Sequence, residues 1–429
     1  MSARADYKLT DIGEIPEDWE VVRIGQVCEV GTGGTPSTAV TEYYENGNIR
    51  WMKSADVKGP YVYDVPNRIT GSGLANSNAV VHPPGSVMMA MSGRGKTRGS
   101  TAVLAVPCTC SQSVAAIIPD KDRLSPEFLH YDLEFRYEET RNITGSYDRS
   151  GLNLKLIRDI KIPRPRLAEQ QKIAGILLAV DFSLQKTDEI IAKTQQLKKG
   201  LMQQLLTRGI GHTKFKQTEL GEVPQEWNVM TLNAISVQGT RNGLYKPQEF
   251  FGRGIKVVRM TEIFRGDVLD VDAVSERVEL TKPERSKFAV REGDLLFARR
   301  SMKVEGSGRC VMVPEVREPM VFESSIVRLT PNKSVAYPKF FLYYLTSSLG
   351  RKAVMRIVRT VAVSGVTGED LGKILVPVPT VREQQEIAQI LTGIESKLAT
   401  EEKRKAQLHR IKTGLMQVLL TGKVRVKVD

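Results

Sequence analysis

Apolar residues recur at near-heptad spacing in two long stretches of the chain. Ile173, Leu177, Val180, Leu184, Ile191, Leu197, Leu201 and Leu205 mark the first; Ile387, Leu391, Ile394, Leu398, Leu408, Ile411, Leu415 and Leu419 mark the second. Steps of three and four put such residues on one narrow helical stripe, and a narrow stripe calls for a partner helix. Each stretch covers about 35 to 40 residues, which at about 1.5 Å per residue predicts helices on the order of 55 Å long. Helices of that length suit a spacer better than a globular core. Ile173, Leu177, Leu184 and Leu201, with Ile387, Leu391, Leu398 and Leu415, are expected to pack the helices or dock a partner.

The two stretches are copies of one another. Gln170-Gln171-Lys172-Ile173-Ala174 returns as Gln384-Gln385-Glu386-Ile387-Ala388, and Gly200-Leu201-Met202-Gln203 as Gly414-Leu415-Met416-Gln417, each 214 positions later. Upstream, Gly13-Glu14-Ile15-Pro16-Glu17-Asp18-Trp19 returns as Gly221-Glu222-Val223-Pro224-Gln225-Glu226-Trp227 after 208 positions, so the second copy gains six residues between lead and helix. A repeat of this length sets the architecture. Between lead and helix, short apolar runs bounded by Gly and Pro predict strands over 48–57 and 255–263, buried strands over 85–91 and 293–298, and further strands over 99–106 and 311–313. Pro126 and Pro338 each sit in the first turn of a predicted helix. Pro163 and Pro165, like Pro377 and Pro379, are expected to end strand pairing before the long helix. The fold class expected is α+β: two similar mixed α/β domains joined by two long antiparallel helices with a pseudo-two-fold repeat. The expected boundaries are 1–166, helix 167–210, 211–379, helix 380–422, and a tail over 423–429.

Charge narrows the partner. A net charge of +13 favours a polyanion, nucleic acid first. No apolar run approaches membrane-spanning length, and Met1, Arg4, Asp6 and Lys8 open no secretory signal, so a cytoplasmic protein is expected. Four cysteines (Cys28, Cys108, Cys110, Cys310) form neither a disulfide framework nor a zinc pattern and are expected as buried thiols. Ala90 to Thr97 resembles a relaxed phosphate-binding loop, but a strand pattern follows where a helix is needed. The second copy, Ala298-Arg299-Arg300-Ser301-Met302-Lys303, keeps the cations and drops the pattern. Both segments therefore read as basic loops between strands. The four histidines are scattered, so no catalytic residue and no metal ligand is expected.

The DNA-binding candidates are Arg94, Lys96 and Arg98 in the first loop, with Arg299, Arg300, Lys303 and Arg309 in the second. Thr32 to Thr38, with Thr35 at its centre, is matched roughly with Thr240, Arg241 and Asn242, Lys53 with Arg259, and Tyr147 with Arg149 completes the set. One exposed arginine is usually a solvated surface group; equivalent loops that are both basic say more. Phosphate contacts would set register and base-edge contacts would read sequence.

Taken together, these motifs resemble the specificity subunit of a type I restriction–modification enzyme. The resemblance rests on the Gly13 lead, Gly33-Gly34-Thr35-Pro36-Ser37, Gly85 to Lys96, Ile162-Pro163-Arg164-Pro165, Glu169 to Ala174 and Gly200 to Gln203. It covers essentially the whole chain, and all but the Gly33 stretch recur in the second half, where Gly239-Thr240-Arg241-Asn242-Gly243 departs. The resemblance implies two target recognition domains, each reading half of a bipartite asymmetric site in double-stranded DNA. It implies a non-catalytic subunit that docks two modification (methyltransferase) subunits and, through them, restriction subunits. No cofactor is implied for this chain; S-adenosylmethionine, ATP and Mg belong to the partners. From the residues alone two other readings stand: a stand-alone DNA methyltransferase or nuclease, which needs a cofactor or metal motif, and a coiled-coil adaptor without DNA contacts. Salt-dependent DNA binding separates the second of these from a specificity subunit.

Overall fold

The computed structural model describes residues 6–93, 95–143, 151–360 and 364–428. The chain forms two compact units, one of residues 1–189 with 402–429, the other of residues 190–401. Both follow the same plan. A hairpin leads, Tyr7–Thr10 with Gly13–Pro16 in the first unit and Phe215–Thr218 with Gly221–Pro224 in the second. The main sheet of the first unit runs Cys28–Thr32, Val114–Pro119, Val87–Ala90, Thr101–Leu104, Tyr61–Val62 in spatial order. That of the second runs Ser236–Asn242, Ile326–Pro331, Leu295–Ala298, Cys310–Met312. Val87–Ala90 and Leu295–Ala298 are buried at every residue, which is why these runs show no polar alternation. Helices Pro126–Phe135 and Pro338–Thr346 pack against the sheets through Phe128 and Phe340, both fully buried. A smaller sheet pairs Ile49–Met52 in parallel with Thr109–Cys110, and Phe251–Val258 with Met320–Phe322.

Two expectations need correction. The strands expected over 48–57 and 255–263 end at Met52 and Val258 and give way to a 3-10 turn, Ser54–Asp56, and a short helix, Met260–Ile263. Pro163 and Pro377 do not end strand pairing. They sit within strands Lys161–Arg164 and Leu375–Val378, paired antiparallel with Glu20–Arg23 and Asn228–Thr231. Ile24 N bonds Ile160 O and Leu232 N bonds Ile374 O, a phase that turns the Pro163 and Pro377 nitrogens to the open edge of each two-stranded sheet, where the missing N–H costs no ladder bond.

The long helices span Leu167–Arg208 and Val381–Leu419. Their first turns explain the strongest repeat landmarks. Trp19 Nε1 donates to Glu169 at 3.2 Å, and Trp227 Nε1 to Glu383 at 2.9 Å. Gln170, fully buried, donates to the carbonyls of Arg123 (3.1 Å) and Pro165 (2.9 Å) and accepts from Ser125 N (2.8 Å). Gln384 repeats this with Val335 O (2.8 Å), Pro379 O (2.9 Å) and Tyr337 N (2.6 Å). Each glutamine thus ties the start of the long helix to the lead into the domain helix. A nitrogen-bearing side chain closes each joint: Arg425 lies 2.7 Å from Glu169 and 2.8 Å from Asp18, and His212 Nε2 lies 2.9 Å from Glu383 Oε1. The Arg425 hydrogen bonds hold the Asp18 carboxyl below the usual carboxylate range.

Further along, a lysine, a carboxylate and a tyrosine lock helix to helix to domain. In the first unit Lys412 lies 2.9 Å from both Asp181 and Glu134, and Tyr131 OH donates to Asp181 at 2.7 Å. In the second, Lys198 lies 2.7 Å from Glu395, which accepts from Tyr343 OH at 2.7 Å. Lys198 and Lys412 are 214 positions apart, as are Asp181 and Glu395. Within the first unit Asp181 faces Lys412 and Asp188 faces Lys405, so the helix segments run antiparallel. Within the second, Lys198 faces Glu395 and Ile210 N meets Glu383, again antiparallel. Ile173, Leu177, Leu184, Ile387 and Leu391 are buried, and Leu201, Leu398 and Leu415 half-buried. Leu197 and Ile411 leave the expected stripe, 54% and 43% exposed. Leu197 follows Ile191 by six positions, which turns it about 100° away from where a heptad step would place it.

Lys412 is nearly enclosed (12% exposed), whereas Lys198 is 27% exposed. Lys412→Met should therefore destabilise the first unit by about 3–5 kcal/mol, by leaving two carboxylates unpaired. Lys198→Met should cost only about 1 kcal/mol, at the upper end for a solvent-screened pair. Denaturant titrations of both variants give the comparison, and equal losses would show that burial does not set the strength of the lock.

His130 is buried, with Nδ1 2.9 Å from Thr101 Oγ1; burial first, and then Lys412, push its pKa down to about 3. An unfolded histidine titrates near about 6.5, so between these values the unfolded chain binds a proton that the folded chain refuses. This contribution to stability is complete above that upper value and is lost as the pH falls towards 3. His130→Leu, the residue type at the equivalent Leu342, should flatten the acid slope of the first unit between pH 7.5 and 5. An unchanged slope in hydrogen-exchange stability would assign the acid response to other groups.

Candidate nucleic-acid interface

In both units the central strand ends in a basic loop that returns to the same sheet. Gly99 N donates to Ala90 O at 2.8 Å, and Gly308 N to Ala298 O at 2.7 Å. Both glycines have positive φ (88° and 64°), the backbone state that lets the loop close so tightly. The second loop is braced from several sides. Arg300 and Ser301 pair with Gly365 and Ser364, Lys303 N donates to Ser301 Oγ at 3.2 Å, and Gly306 N to Lys303 O at 3.0 Å. It presents Arg300, Met302 and Lys303 to solvent, Met302 at 92% exposure. Together with Arg309, Met260 and Phe264 they line a depression of about 760 Å³. Arg309 is half-buried, 3.6 Å from Asp267 and 5.9 Å from the Phe264 ring. Arg299 sits behind the loop, its N donating to Ser325 O at 2.8 Å and its Nη1 to Ser324 O at 3.4 Å.

The first unit has its counterpart, a depression of about 540 Å³ lined by Thr35, Lys53, Ser92, Thr97, Ser111 and Gln112, among others. Thr35 Oγ1 bonds Gln112 Oε1 at 2.5 Å, and Lys53 Nζ lies 5.0 Å over the Trp51 ring. Lys53 and Arg259 occupy equivalent positions. Each opens a turn closed by a carboxylate three residues on, Lys53 N to Asp56 at 2.8 Å and Arg259 N to Glu262 at 3.0 Å. Their charges differ in availability, since Arg259 is already held by Glu323 (3.0 Å) and Glu276 (3.8 Å). Lys96 is exposed beside a separate cavity of about 470 Å³ with Lys58 and Tyr137, and Arg98 is half-buried. Arg94, Tyr147 and Arg149 lie outside the described residues.

The rough match of Thr32 to Thr38 with Thr240, Arg241 and Asn242 is shifted by backbone contacts. A Cβ on Gly33 would collide with the Cys110 carbonyl, and one on Gly243 with the Glu323 carbonyl. These two glycines therefore correspond, and Thr35 answers to Tyr245, which is 81% exposed. Arg241 and Asn242 lie earlier, on the edge strand, and line a different depression with Arg291 and Arg328. Sequence alone offers Gly239 and Gly243 as equal candidates; the distinguishing signal is a carbonyl some 80 residues away along the chain. Tyr245, Met302 and Phe264 went unmarked because nothing in the pattern shows which apolar residues stay exposed.

Among the described residues no group of three His, Cys, Asp or Glu is placed to hold a metal. The fold does bring His82 Nε2 to 3.5 Å from Cys110 Sγ, a neighbour not foreseen for the Cys108–Cys110 pair. Burial pushes the Cys110 thiol up to about 12 and the His82 pKa down, so both stay neutral and the thiol unreactive. No helix is long and apolar enough to cross a membrane. What the two depressions offer is hydrogen-bond donors, positive charge and apolar edges, the chemistry that reads base edges and phosphates.

Comparison with known proteins agrees. Residues 16–196 and 224–410 match the model of the type I restriction modification DNA specificity domain. The MjaVIII specificity subunit of Methanocaldococcus jannaschii is 25% identical, over 96% of this chain and 94% of its own length. The EcoKI specificity subunit of Escherichia coli is 24% identical, over 87% and 82% respectively. In fold the chain is similar to the S subunit of a type I system from M. genitalium (TM-score 0.57, 16% identity, 96% and 97% covered). A chain from a type I R-M system solved for its complex assembly and conformational transition is also similar (TM-score 0.54, 19% identity, 96% and 99% covered). With both repeats matched over most of their length, the chain belongs to the type I restriction modification DNA specificity domain family.

Proposed function

We propose that the chain is the DNA-specificity subunit of a type I restriction–modification complex, selecting the target while its partners carry out the chemistry. Residues 1–166 and 211–379 are each assigned one half of a bipartite, asymmetric site. The helices over 167–210 and 380–422 are assigned the spacer and the docking of two modification subunits. The observation that carries this is the pair of depressions at one position of the repeat with different linings. Hydroxyls, an amide and a single lysine beside Trp51 line the first, whereas two arginines, a lysine, methionines and a phenylalanine dominate the second. Equivalent backbone with unlike surfaces is what reading two different half-sites requires. In the second domain Arg300, Lys303 and Arg309 are assigned the DNA contact, with Arg259 and Arg299 positioning the loop. In the first, Thr35, Lys53, Lys96 and Arg98 take that role, together with Arg94, Tyr147 and Arg149.

Leu197 and Ile411 support the partner assignment. They are 214 positions apart and both exposed on the long helices, so the repeat offers the same apolar group twice. Two like surfaces suit two copies of one partner, and burying each side chain would contribute roughly 1.5–3 kcal/mol. Restriction subunits would join through the modification subunits, and S-adenosylmethionine, ATP and Mg would be held there. Such a complex acts on the host's own DNA, which places it in the cytoplasm.

Arg300→Ala with Lys303→Ala should weaken binding by about 1–3 kcal/mol for each base-edge contact removed, or by a smaller, salt-sensitive amount for a phosphate contact. The test is competition binding by the assembled complex, using duplexes altered in one half-site at a time after the target has been mapped from its methylated adenines. Unchanged affinity at low and high salt would reduce that loop to ordinary surface.

Four residues inserted after Thr194 lengthen the first helix by about 6 Å while nearly keeping its stripe in phase. With DNA rising about 3.4 Å per base pair, the non-specific spacer of the methylated site should grow by one or two base pairs, with both half-sites unchanged. An active complex that keeps the original spacer would show that something other than the helices sets the distance.

A further inference from the structure

The edge strand Ser236–Asn242 of the second unit is bulged between Ser236 and Thr240, where Gly239 has φ 66°. Past the bulge, Arg241 stands directly across from Arg328 on the neighbouring strand. Like charges opposite each other in an antiparallel pair are destabilising. Arg291 and Lys287 line the same depression, of about 350 Å³, with Gln238 and Thr330.

Arg328 is fixed there. Its side chain is 11% exposed, its guanidinium lies 5.2 Å over the Phe322 ring, and Nη1 donates to the Ala289 carbonyl. The carboxylate beside it, Asp294, is 4.0 Å from Nε and already accepts from Thr330 Oγ1 (2.6 Å) and Arg291 N (2.8 Å). Burial pushes the Asp294 carboxyl up, against its charged form. The Arg328 pKa is lowered by burial, raised by Asp294, and lowered again by Arg291 and Arg241. Among the described residues Arg241, Arg291 and Lys287 make no ion pair. Positive charge here is therefore in excess.

The fold does not need it. In the first unit the same cross-strand position holds Gly31 opposite Ala116. An arrangement that costs stability in one repeat, and that the other repeat does without, points to a ligand that neutralises it.

We propose that this depression binds a phosphate group, with Arg241 and Arg291 donating to its oxygens and Arg328 supplying the enclosed charge. Three guanidinium groups suit a phosphate, whose non-bridging oxygens each accept several hydrogen bonds and whose charge is about one as a diester and about two as a monoester. The phosphate can come from the backbone of bound DNA, an assignment that rests on the specificity reading above, or from a free phosphoanion. In either case it is separate from the loop depression that carries Arg300.

Arg241→Gln with Arg291→Gln tests this, with exposed Arg317→Gln as control. Calorimetric titration of the full chain with inorganic pyrophosphate, without DNA, should show binding that weakens at least tenfold in the double variant and not in the control. For DNA bound by the complex with modification subunits, the slope of log affinity against log salt should become shallower by about one, the value for one phosphate contact, in the double variant, with the methylated motif unchanged. Both effects together identify a backbone phosphate; loss of pyrophosphate binding alone identifies a free anion. If neither pyrophosphate binding nor the salt slope responds, the site is overturned. A wild-type complex that binds no DNA would sink the specificity reading, leaving the pyrophosphate titration to decide this proposal by itself.

Discussion

A glutamine side chain with no exposure fixes each domain to its long helix, and the rest of the structure depends on that joint. Gln170 and Gln384 use both faces of the amide, donating to two carbonyls and accepting one backbone N–H. An apolar side chain of similar size would fill the space but leave those backbone groups buried without partners, at about 1–3 kcal/mol each. Unlike an apolar contact, the amide also accepts only one register between helix and domain. The adjoining Glu169 and Glu383 add direction by receiving the tryptophans of the lead. Farther along each helix, a lysine, a carboxylate and a tyrosine fix the angle at which the domain helix is held.

With the joint specified so locally, the far side of each domain is free to vary. The strand positions under the basic loops are equivalent down to the hydrogen bond that closes them, yet the position held by Ser92 in the first unit is held by Arg300 in the second. Gly31 opposite Ala116 becomes Arg241 opposite Arg328 with the ladder intact. Register is carried by buried residues and by glycines pressed against a neighbouring carbonyl, so exchanging surface residues does not disturb it. A scaffold of this kind changes what it reads without changing how it is mounted.

The sequence displayed the parts whose signal is periodic or repeated. The long helices, the two-fold repetition, the buried central strands and the basic loops all fall in that class. What it concealed depends on contacts between distant residues. That Arg259 is held by Glu323, that Gly243 rather than Gly239 answers to Gly33, and that Lys412 reaches Asp181 are facts of packing, with no local pattern. The prolines misled for a related reason. Pro163 and Pro377 would break a ladder only if their nitrogens faced a paired strand, and which way they face is decided by the fold.

Net charge illustrates the same limit. An excess of +13 points to a polyanion, but many of the chain's cations are already paired with carboxylates of the protein itself. Arg425, Lys412, Lys198 and Lys405 all serve the joints between helix and domain or between helices. Arg259 and Arg309 lie at the loop depression with carboxylates beside them. Once these are set aside, few cations near the depressions of the second unit make no ion pair among the described residues. Arg300 and Lys303 are two, on a braced loop; Arg241 and Arg291 are two more, around a guanidinium that is nearly enclosed. Pairing, more than the number of basic residues, therefore locates where a polyanion gains most, because a cation already matched to a carboxylate must give up that partner before it can offer its charge elsewhere.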